Sequence, residues 1–298
     1  MKNLVNKLAL GTVQFGLDYG INNINGKPSK QNSLEIIDFA RRKGIKVFDT
    51  AFAYGNAEEL LGESKLEEET KIITKLRPNI ISGNKGSVDD IIAANLRDSL
   101  DRLKRNCVDG FLLHTPEYVR EDKIINSLCN LKKQGLVKNI GVSIYEETDA
   151  LYAVKLKEID YIQIPYNIFD QRLNRTDFFR LAKKNKVTVF ARSAFLQGLF
   201  FMPENKIPPY LSKSKGYFRD LDEIIGRYGL TRLQAALMFS LTNDNIDFTV
   251  FGVDNIDQLV QNITLSEQPV GCRECVEELK NKFVEMEKNI IFPSLWKK

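Results

Sequence analysis

Four ionisable residues in the first half of the sequence could form one site that handles protons. Asp49, Lys75 and His114, the only histidine, each end a short apolar segment, and Tyr54 follows shortly after Asp49. A titratable group at the carboxyl end of a buried strand is costly unless partners surround it. Four such groups after successive strands predict a shared site, and these side chains are suited to moving a proton onto a carbonyl oxygen.

Each of the four side chains has a definite chemical part in such a site. Tyr54 could donate its phenolic proton to a carbonyl oxygen that is becoming an alkoxide, although an unperturbed tyrosine has a pKa of about 10. A nearby ammonium at Lys75 is expected to lower that pKa, and Asp49 is expected to keep Lys75 charged. His114 could hydrogen-bond the substrate oxygen and orient it, or relay a proton. No member of the set is a strong nucleophile with its own base, which argues against acyl transfer.

Strands and helices that must position these residues alternate along the whole chain. Short apolar strands are predicted at residues 7–11, 46–50, 71–75, 108–114, 139–143, 161–165, 187–192 and 248–252. Amphipathic periodicity predicts helices between them, for example at Ile124, Leu128 and Leu131. Gly44 and Gly135 stand where helix C-caps are expected. Crossovers long enough to hold a helix imply that the strands pair in parallel.

Eight strands are predicted, which is the number that closes a (β/α)8 TIM barrel. This barrel, as a single domain over residues 1–298, is the expected fold class. The alternative is an open, doubly wound sheet. It is disfavoured because residues 11–16 lack the G-x-G-x-x-G turn and because no linker divides the chain. Two additions to the minimal barrel are expected: a long loop after strand seven, at 193–217, and an extra C-terminal helix and apolar tail beyond residue 271.

Composition restricts the class of protein and its partners. The 298 residues are 43% hydrophobic and 28% charged, as in soluble globular proteins. The net charge is only +4, and its cations are dispersed among Asp and Glu, so no nucleic acid partner is expected. No apolar stretch approaches the ~20 residues that span a bilayer, and the N-terminus lacks a signal-peptide apolar region. We therefore expect a cytoplasmic protein without a membrane partner, whose oligomeric state the sequence leaves unknown.

The four cysteines predict neither a disulfide framework nor a metal site. Cys107, Cys129, Cys272 and Cys275 are too few to cross-link a chain of this length. A zinc ion at the Cys272–Cys275 pair would need two further ligands, and the only histidine is far away in sequence. The pair also begins a helix-like segment without the strand that precedes a thioredoxin-type motif. Two cysteines on a peripheral helix are therefore expected.

The segment that contains Asp49 and Tyr54 resembles the signature of the aldo-keto reductase family. Residues 48–62 read FDTAFAYGNAEELLG, and 73–75, 112–114 and 135–143 resemble the family's next landmarks in order. The resemblance extends from Leu8 to about Asn262. It implies a (β/α)8 barrel that binds NAD(P)(H) across its C-terminal face and transfers a hydride to an aldehyde or ketone. It also implies that Tyr54 is the general acid, that Asp49 and Lys75 tune it, and that His114 orients the carbonyl.

The same resemblance implies a row of residues along the dinucleotide. Ser143 and Gln163 are expected to hydrogen-bond the nicotinamide carboxamide, and residues 192–198 to wrap the ring and the pyrophosphate. The complete expected set of cofactor-binding residues is Gly11, Thr12, Val13, Ser143, Gln163, Arg192, Ser193, Phe195, Gln197, Gly198, Gly252, Val253, Gln258 and Asn262.

The chain departs from the common family pattern at two places. Many members carry a tyrosine at the position of Arg192 and an asparagine at that of Ile144; a guanidinium can also stack on a planar ring, so Arg192 is expected to keep the stacking role. NADP-preferring relatives often place Lys and Arg in the segment that corresponds to 250–258. Here Asp254 and Asp257 would repel a 2′-phosphate, although Asn255 and Gln258 also fit a helix capping box. The family leans to NADP(H), and the choice between NADP(H) and NAD(H) stays open.

The substrate class is expected from the loops around the barrel mouth. The polar loop at 19–26, the loop after strand seven and the tail with Trp296 are expected to shape a pocket for a hydroxylated carbonyl compound such as a sugar. Residues 10–16 and 192–198 are similar to a bacterial subset of the family associated with surface-polysaccharide synthesis. Two alternatives are a Schiff-base aldolase using Lys75 and a cofactor-binding regulatory subunit with little turnover.

Overall fold

The computed structural model describes residues 3–267 and 273–296. Its strands close into a parallel barrel in which each strand lies beside its neighbour in sequence and the last pairs with the first. The strands are β1 (Leu8–Gly11), β2 (Val47–Asp49), β3 (Lys71–Lys75), β4 (Val108–Leu113), β5 (Val137–Ser143), β6 (Tyr161–Pro165), β7 (Thr188–Arg192) and β8 (Phe248–Phe251). The predicted (β/α)8 barrel is confirmed, and each predicted strand overlaps an observed one.

Helices surround the barrel and follow each strand. They are α1 (Val13–Gly16), α2 (Lys30–Arg42), α3 (Ala57–Glu63), α4 (Val88–Leu103), α5 (Asp122–Lys133), α6 (Glu147–Ala153), α7 (Phe178–Asn185), α8 (Ser214–Arg227), α9 (Arg232–Leu241), α10 (Ile256–Glu267), α11 (Arg273–Lys282) and α12 (Lys288–Ile291). Short 3-10 turns occupy Val5–Lys7, Pro116–Arg120, Arg172–Arg175, Leu196–Phe201, Glu204–Lys206, Pro209–Leu211 and Pro293–Leu295.

Local sequence signals explain where several of these helices begin and end. The Ser87 hydroxyl accepts a hydrogen bond from the Asp90 amide and caps the N-terminus of α4. Gly44 and Gly135 follow α2 and α5 with φ angles of 87° and 76°, a left-handed conformation that a glycine adopts without strain. The buried stripe of α5 consists mainly of Ile124, Leu128 and Leu131, as predicted.

Strand alternation explains why the polar residues meet at one end of the barrel. The interior is packed with apolar side chains from seven strands: Ala9, Val47, Ile73, Leu112, Tyr161, Phe190 and Val250. Successive strand side chains point to opposite faces, so the residue two positions further along also points inward. Those residues are Asp49, Lys75, His114, Gln163 and Arg192. The strand periodicity that fills the barrel core with apolar side chains therefore also places these polar side chains at the carboxyl ends of the strands.

The segment after β7 is more ordered than a plain loop. It contains three short 3-10 turns, and α8 begins at Ser214, inside the predicted loop at 193–217. Gln197 and Gly198 have φ angles of 54° and 87°, so the chain reverses sharply there. The Ile21 amide donates to the Gln197 carbonyl at 2.9 Å, which joins this segment to the loop after β1 above the barrel mouth.

The C-terminal helix and tail pack against the segment that follows β6. Phe283 lies 5.0 Å from Phe169 between ring centroids, and the Gln171 side chain donates to the Phe283 carbonyl at 3.1 Å. Trp296 is buried, and its indole donates to the Ile290 carbonyl at 3.3 Å. For the part of the tail that the structure describes, the expectation that the Trp296 tail shapes the substrate pocket is therefore wrong, because its indole is engaged by the tail itself and no described tail residue lines the cavity at the barrel mouth.

The part of the chain that the structure describes contains no helix long and apolar enough to cross a membrane. Within the same residues, no group of three His, Cys, Asp or Glu side chains could hold a metal ion. Cys275 is buried on α11, the helix on which two cysteines were expected, whereas Cys272 lies outside the described residues.

Candidate active site

A cavity of about 420 Å³ opens at the carboxyl ends of the strands. All the residues predicted for the site line it except Lys75 and Val253. Val253 does not line the cavity because its side chain is buried in the core between the barrel and its helices. Lys75 lies directly beneath the floor. The structure thus brings together the catalytic and cofactor-binding sets that the sequence predicted.

Asp49 and Lys75 form a buried ion pair under this floor. The Lys75 ammonium lies 2.7 Å from both Asp49 carboxylate oxygens and donates a third bond to the Thr50 carbonyl at 2.8 Å. The Lys75 side chain has no exposed surface. Burial lowers the pKa of Lys75, and the Asp49 carboxylate opposes that shift. The two charges compensate each other, so the pair holds the floor together and leaves little net charge facing the cavity.

A hydrogen-bond series continues from this pair across the barrel. The Gln163 side-chain amide donates to Asp49 Oδ2 at 2.7 Å, and the Ser143 hydroxyl donates to Gln163 Oε1 at 3.2 Å. The members come from β3, β2, β6 and β5, so one network fixes side chains from both sides of the cavity. Rotation of Gln163 is prevented because its nitrogen and its oxygen are both engaged.

Tyr54 and His114 stand above the ion pair. Their rings meet edge to face with centroids 5.8 Å apart, and Lys75 Nζ lies 5.2 Å from the centroid of the Tyr54 ring. The turn that carries Tyr54 is fixed by a close approach that the sequence analysis missed: a Cβ on Gly16 would lie 1.7 Å from the Tyr54 carbonyl oxygen. Gly16, one turn after β1, thus lets α1 pack directly on the backbone of the tyrosine.

The pKa of Tyr54 differs from the sequence-based expectation. Burial raises it well above its usual value, and the Asp49 carboxylate raises it further, whereas Arg192 lowers it. The net lowering expected from Lys75 is not found, because burial and the Asp49 carboxylate outweigh it. Tyr54 is therefore a neutral phenol at neutral pH, which is the protonation state that a proton donor requires.

His114 is neutral for a related reason. Burial lowers its pKa to about 3, and the positive charges of Lys75 and Arg192 act in the same direction. Its Nδ1 is buried and finds no hydrogen-bond partner in the described part of the chain. A neutral imidazole can donate or accept one hydrogen bond at each nitrogen, which suits it to orienting a carbonyl oxygen rather than to carrying charge.

Replacing His114 with glutamine should remove a specific pH dependence of stability. The unfolded histidine takes up a proton as the pH falls through about 6.5, whereas the folded one stays neutral until about pH 3. The stability that the neutral form contributes is therefore fully present above pH 6.5 and is lost as the pH falls. Between pH 6 and 4, the free energy of unfolding of the wild type should fall relative to the variant by about 1.4 kcal/mol per pH unit. If the free energies of unfolding of the wild type and the variant, both measured by urea titration, change equally with pH, the prediction is contradicted.

Arg192 is held at the side of the cavity by neutral groups. Its guanidinium donates to the Ile144 carbonyl at 2.9 Å and to the Ser193 hydroxyl at 3.1 Å, and it lies 4.3 Å from the centroid of the Tyr145 ring. Arg192 and Ile144, the two positions at which the sequence departs from the common family pattern around β5 and β7, contact each other through this bond. Among the described residues that line the cavity, Arg192 is the only lysine or arginine.

The far end of the cavity offers polar atoms to an extended ligand. Buried side-chain oxygens of Gln14 and Asn262 have no hydrogen-bond partner among the residues that the structure describes. A Cβ on Gly252 would lie 2.1 Å from the Gln14 side-chain amide, so a larger residue at this position would displace the Gln14 side chain. Unsatisfied buried oxygens and a glycine-lined cradle fit a ligand with hydroxyl and amide groups, as in a dinucleotide.

The N-terminus of α10 is capped by its own side chains. Asn255 Oδ1 accepts from the Gln258 amide at 3.0 Å, and Gln258 Oε1 accepts from the Asp254 amide at 2.8 Å. The predicted capping role of Asn255 is thus confirmed, with the reciprocal bond made to Asp254 instead of Asn255. Burial raises the pKa of Asp254. Asp257, the second acidic residue of this segment, is exposed and does not line the cavity.

Several lining residues were not predicted from the sequence. They are Gln14, Tyr145, Phe201, Leu233, Val250, Phe251 and Gln261. A signal existed for two of them: Tyr145 stands two residues after Ser143, and Gln261 lies one helical turn beyond Gln258. Phe201 and Leu233 come from the ordered segment after β7 and from α9, whose positions depend on tertiary packing.

Residues 7–275 match the model of the Aldo/keto reductase family. The chain belongs to this family. The resemblance found in the sequence is confirmed, and the aldo/keto reductase fold accounts for the closed barrel and for a cavity at its C-terminal face.

Relatives of this aldo/keto reductase align over nearly its whole length. An uncharacterised oxidoreductase, YqkF, of Bacillus subtilis is 25% identical over 293 residues, which are 91% of this chain and 93% of the relative. The NADH-specific methylglyoxal reductase of Escherichia coli is 23% identical over 87% of this chain and 89% of its own. The crystal structure of a thermostable aldo-keto reductase, Tm1743, with the inhibitor epalrestat superposes with a TM-score of 0.71 at 26% identity, covering 92% of this chain and 94% of the other. The protein is an NAD(P)H-dependent oxidoreductase that acts on carbonyl compounds.

Proposed function

We propose that the enzyme reduces a small hydroxylated aldehyde or ketone, with Tyr54 as the proton donor. The observation that carries this proposal is the position of a neutral Tyr54 beside a neutral His114, directly above the compensated Asp49–Lys75 pair. A phenol and an imidazole side by side offer two hydrogen bonds to one carbonyl oxygen. Residues 1–298 are proposed to act as one domain.

The roles of the four residues follow from their surroundings. His114 orients the substrate oxygen towards Tyr54, and Tyr54 gives up its proton as negative charge develops on that oxygen. Reduced nicotinamide, when bound, supplies the hydride. Lys75 stabilises the resulting phenolate through its charge 5.2 Å from the ring centroid, and Asp49 keeps the lysine in place.

The proposed cofactor site runs from the network at β5 and β6 to α10. Ser143, Gln163 and Arg192 would hold the nicotinamide end, and the segment with Gln197 and Gly198 would cover the pyrophosphate. Gly11, Thr12 and Val13 border the groove after β1, with Ser193 and Phe195 opposite; Gly252, Gln258 and Asn262 would hold the adenosine end. The unpartnered oxygens of Gln14 and Asn262 support an occupant with hydrogen-bond donors.

NAD(H) is the dinucleotide that the charges of the groove favour. Asp254 lines the proposed adenosine end, and the only lining cation, Arg192, stands at the opposite end. A 2′-phosphate would meet a carboxylate with no compensating cation among the described lining residues. The NADH specificity named for the Escherichia coli relative points in the same direction.

Two features of the pocket bear on the substrate and on the competing mechanisms. Tyr19 and Asn22 of the loop after β1 line the cavity and offer hydrogen bonds to substrate hydroxyls, whereas the side chain of the neighbouring Asn23 is engaged within the loop. Lys75 does not line the cavity and has three hydrogen bonds, so it is poorly placed to form a Schiff base with a carbonyl. Carbonyl reduction is therefore favoured over an aldolase.

The proposed cofactor preference can be tested by titrating the protein with NADH and NADPH and following the nicotinamide emission. NADH should bind at least about tenfold more tightly than NADPH. Asp254→Asn should narrow this difference in affinity between the two dinucleotides. Asp257→Asn, which changes an exposed carboxylate in the same segment, serves as the matched control. Equal binding of both dinucleotides by the wild type would refute the preference.

Measuring turnover with different carbonyl compounds then tests the proposed reduction and its substrate class. Glyceraldehyde should be reduced with a higher kcat/KM than butanal, because it offers hydroxyl groups to the polar loop. Tight cofactor binding with negligible turnover of every carbonyl compound would instead support a regulatory subunit. Absence of binding of either dinucleotide would refute the proposed function.

A further inference from the structure

The charge at the Tyr54 end of the cavity is not balanced. Asp49 is compensated by Lys75, the buried Asp170 carboxylate is compensated by Arg172 at 2.8 Å, and Asp254 lies at the opposite, adenosine end of the proposed groove. Arg192 forms no ion pair with any carboxylate of the described residues; its partners are a carbonyl, a hydroxyl and an aromatic ring. One uncompensated positive charge is therefore built into this end of the site.

The guanidinium cannot easily withdraw from the cavity. Its two hydrogen bonds and the Tyr145 ring fix it on three sides, and the Arg192 carbonyl accepts from the Tyr166 amide at 3.0 Å. Its field reaches the reacting groups, because Arg192 lowers the pKa values of Tyr54 and His114. A fixed charge in a partly desolvated site interacts more strongly than one on a mobile surface side chain.

The two redox states of the cofactor differ in charge at the ring. Oxidised nicotinamide carries one positive charge, whereas the reduced ring carries none. A tyrosine at position 192, as in many relatives, carries no charge and would not distinguish the two states of the ring by charge repulsion. Arginine at this position repels the oxidised ring and leaves the reduced ring unaffected by charge repulsion.

We propose that Arg192 makes this enzyme bind reduced dinucleotide more tightly than oxidised dinucleotide and thus biases it towards carbonyl reduction. The inference rests on the proposed function, which places nicotinamide beside Arg192. Its consequence in the cell is directional: oxidised cofactor leaves readily after each turnover, and alcohol oxidation requires a high concentration of oxidised cofactor. The equilibrium constant of the reaction in solution is unchanged.

Dissociation constants of NADH and NAD⁺ test the proposal without any measurement of activity. NADH binding is followed by its emission, and NAD⁺ binding by displacement of NADH. In the wild type, NAD⁺ should bind at least about tenfold more weakly than NADH. Arg192→Met, of similar length without charge, should bring the ratio close to one, whereas Arg192→Lys, which keeps the charge, should retain most of it. ADP-ribose, which lacks the ring, should bind all three proteins alike.

Each result bears on the proposal. A wild type that binds the two redox states equally overturns it without recourse to any variant. If the ratio of the NAD⁺ and NADH dissociation constants is unchanged in Arg192→Met, the proposal is also overturned. It is overturned as well if Arg192→Lys loses this ratio to the same extent as Arg192→Met. Failure of both dinucleotides to bind the wild type would refute the proposed function itself, and that result is distinct from equal binding of both.

Discussion

Tyr54→Phe is expected to lower kcat/KM for carbonyl reduction by about 10²-fold or more, while the dissociation constant of the reduced dinucleotide changes by less than about twofold. The substitution removes only the hydroxyl. The ring that meets His114 edge to face at 5.8 Å remains, and so does the buried pair beneath it. Loss of the donor leaves the developing alkoxide without a proton source, so the chemical step slows and binding does not.

Steady-state kinetics with the preferred dinucleotide, together with direct binding titrations, would separate these two effects. Tyr145→Phe is the matched control, because it removes a hydroxyl from a second lining tyrosine and keeps the ring beneath Arg192. It should change kcat/KM by less than about fivefold. A deuterium isotope effect from 4-deuterated cofactor should rise in Tyr54→Phe as the chemical step becomes limiting. Wild-type activity in that variant would remove Tyr54 from the proposed role.

Strand periodicity explains why so much of the site could be predicted from the sequence. Asp49, Lys75 and Gln163 each follow an inward apolar residue by two positions, and a closed barrel gathers such residues at one end. The apolar segments that predict the strands therefore also predict which polar side chains meet. This is why the floor of the cavity could be anticipated without any knowledge of the loops.

Other features depend on packing between segments that are distant in sequence. The Gly16 contact with Tyr54 and the placement of the Trp296 tail against its own helix follow from tertiary geometry, which periodicity does not encode. The protonation of Tyr54 could not be deduced either, because it depends on how completely Asp49 compensates Lys75 and on how deeply the ring is buried. Burial and compensation are properties of the assembled site.

Lys75→Met is expected to lower the free energy of unfolding by about 3–5 kcal/mol, in addition to abolishing most activity. The substitution leaves the Asp49 carboxylate nearly enclosed, with the Gln163 amide as its remaining side-chain partner. An isolated buried charge is far more costly than a buried pair. The double variant Asp49→Asn with Lys75→Met removes both charges and should therefore recover stability to within about 2 kcal/mol of the wild type. Its kcat/KM should stay low, because no ammonium remains to stabilise the Tyr54 phenolate.

Chemical denaturation of the single and double variants measures this coupling. Lys30→Met supplies the control, because Lys30 forms an equally short ion pair with Glu63, 2.6 Å apart, but is 61% exposed. Its loss should cost no more than about 1 kcal/mol. If the double variant is less stable than Lys75→Met, the two residues do not act as a compensated pair. If the double variant regains activity along with stability, the lysine charge takes no part in catalysis, and the network through Gln163 serves the fold alone.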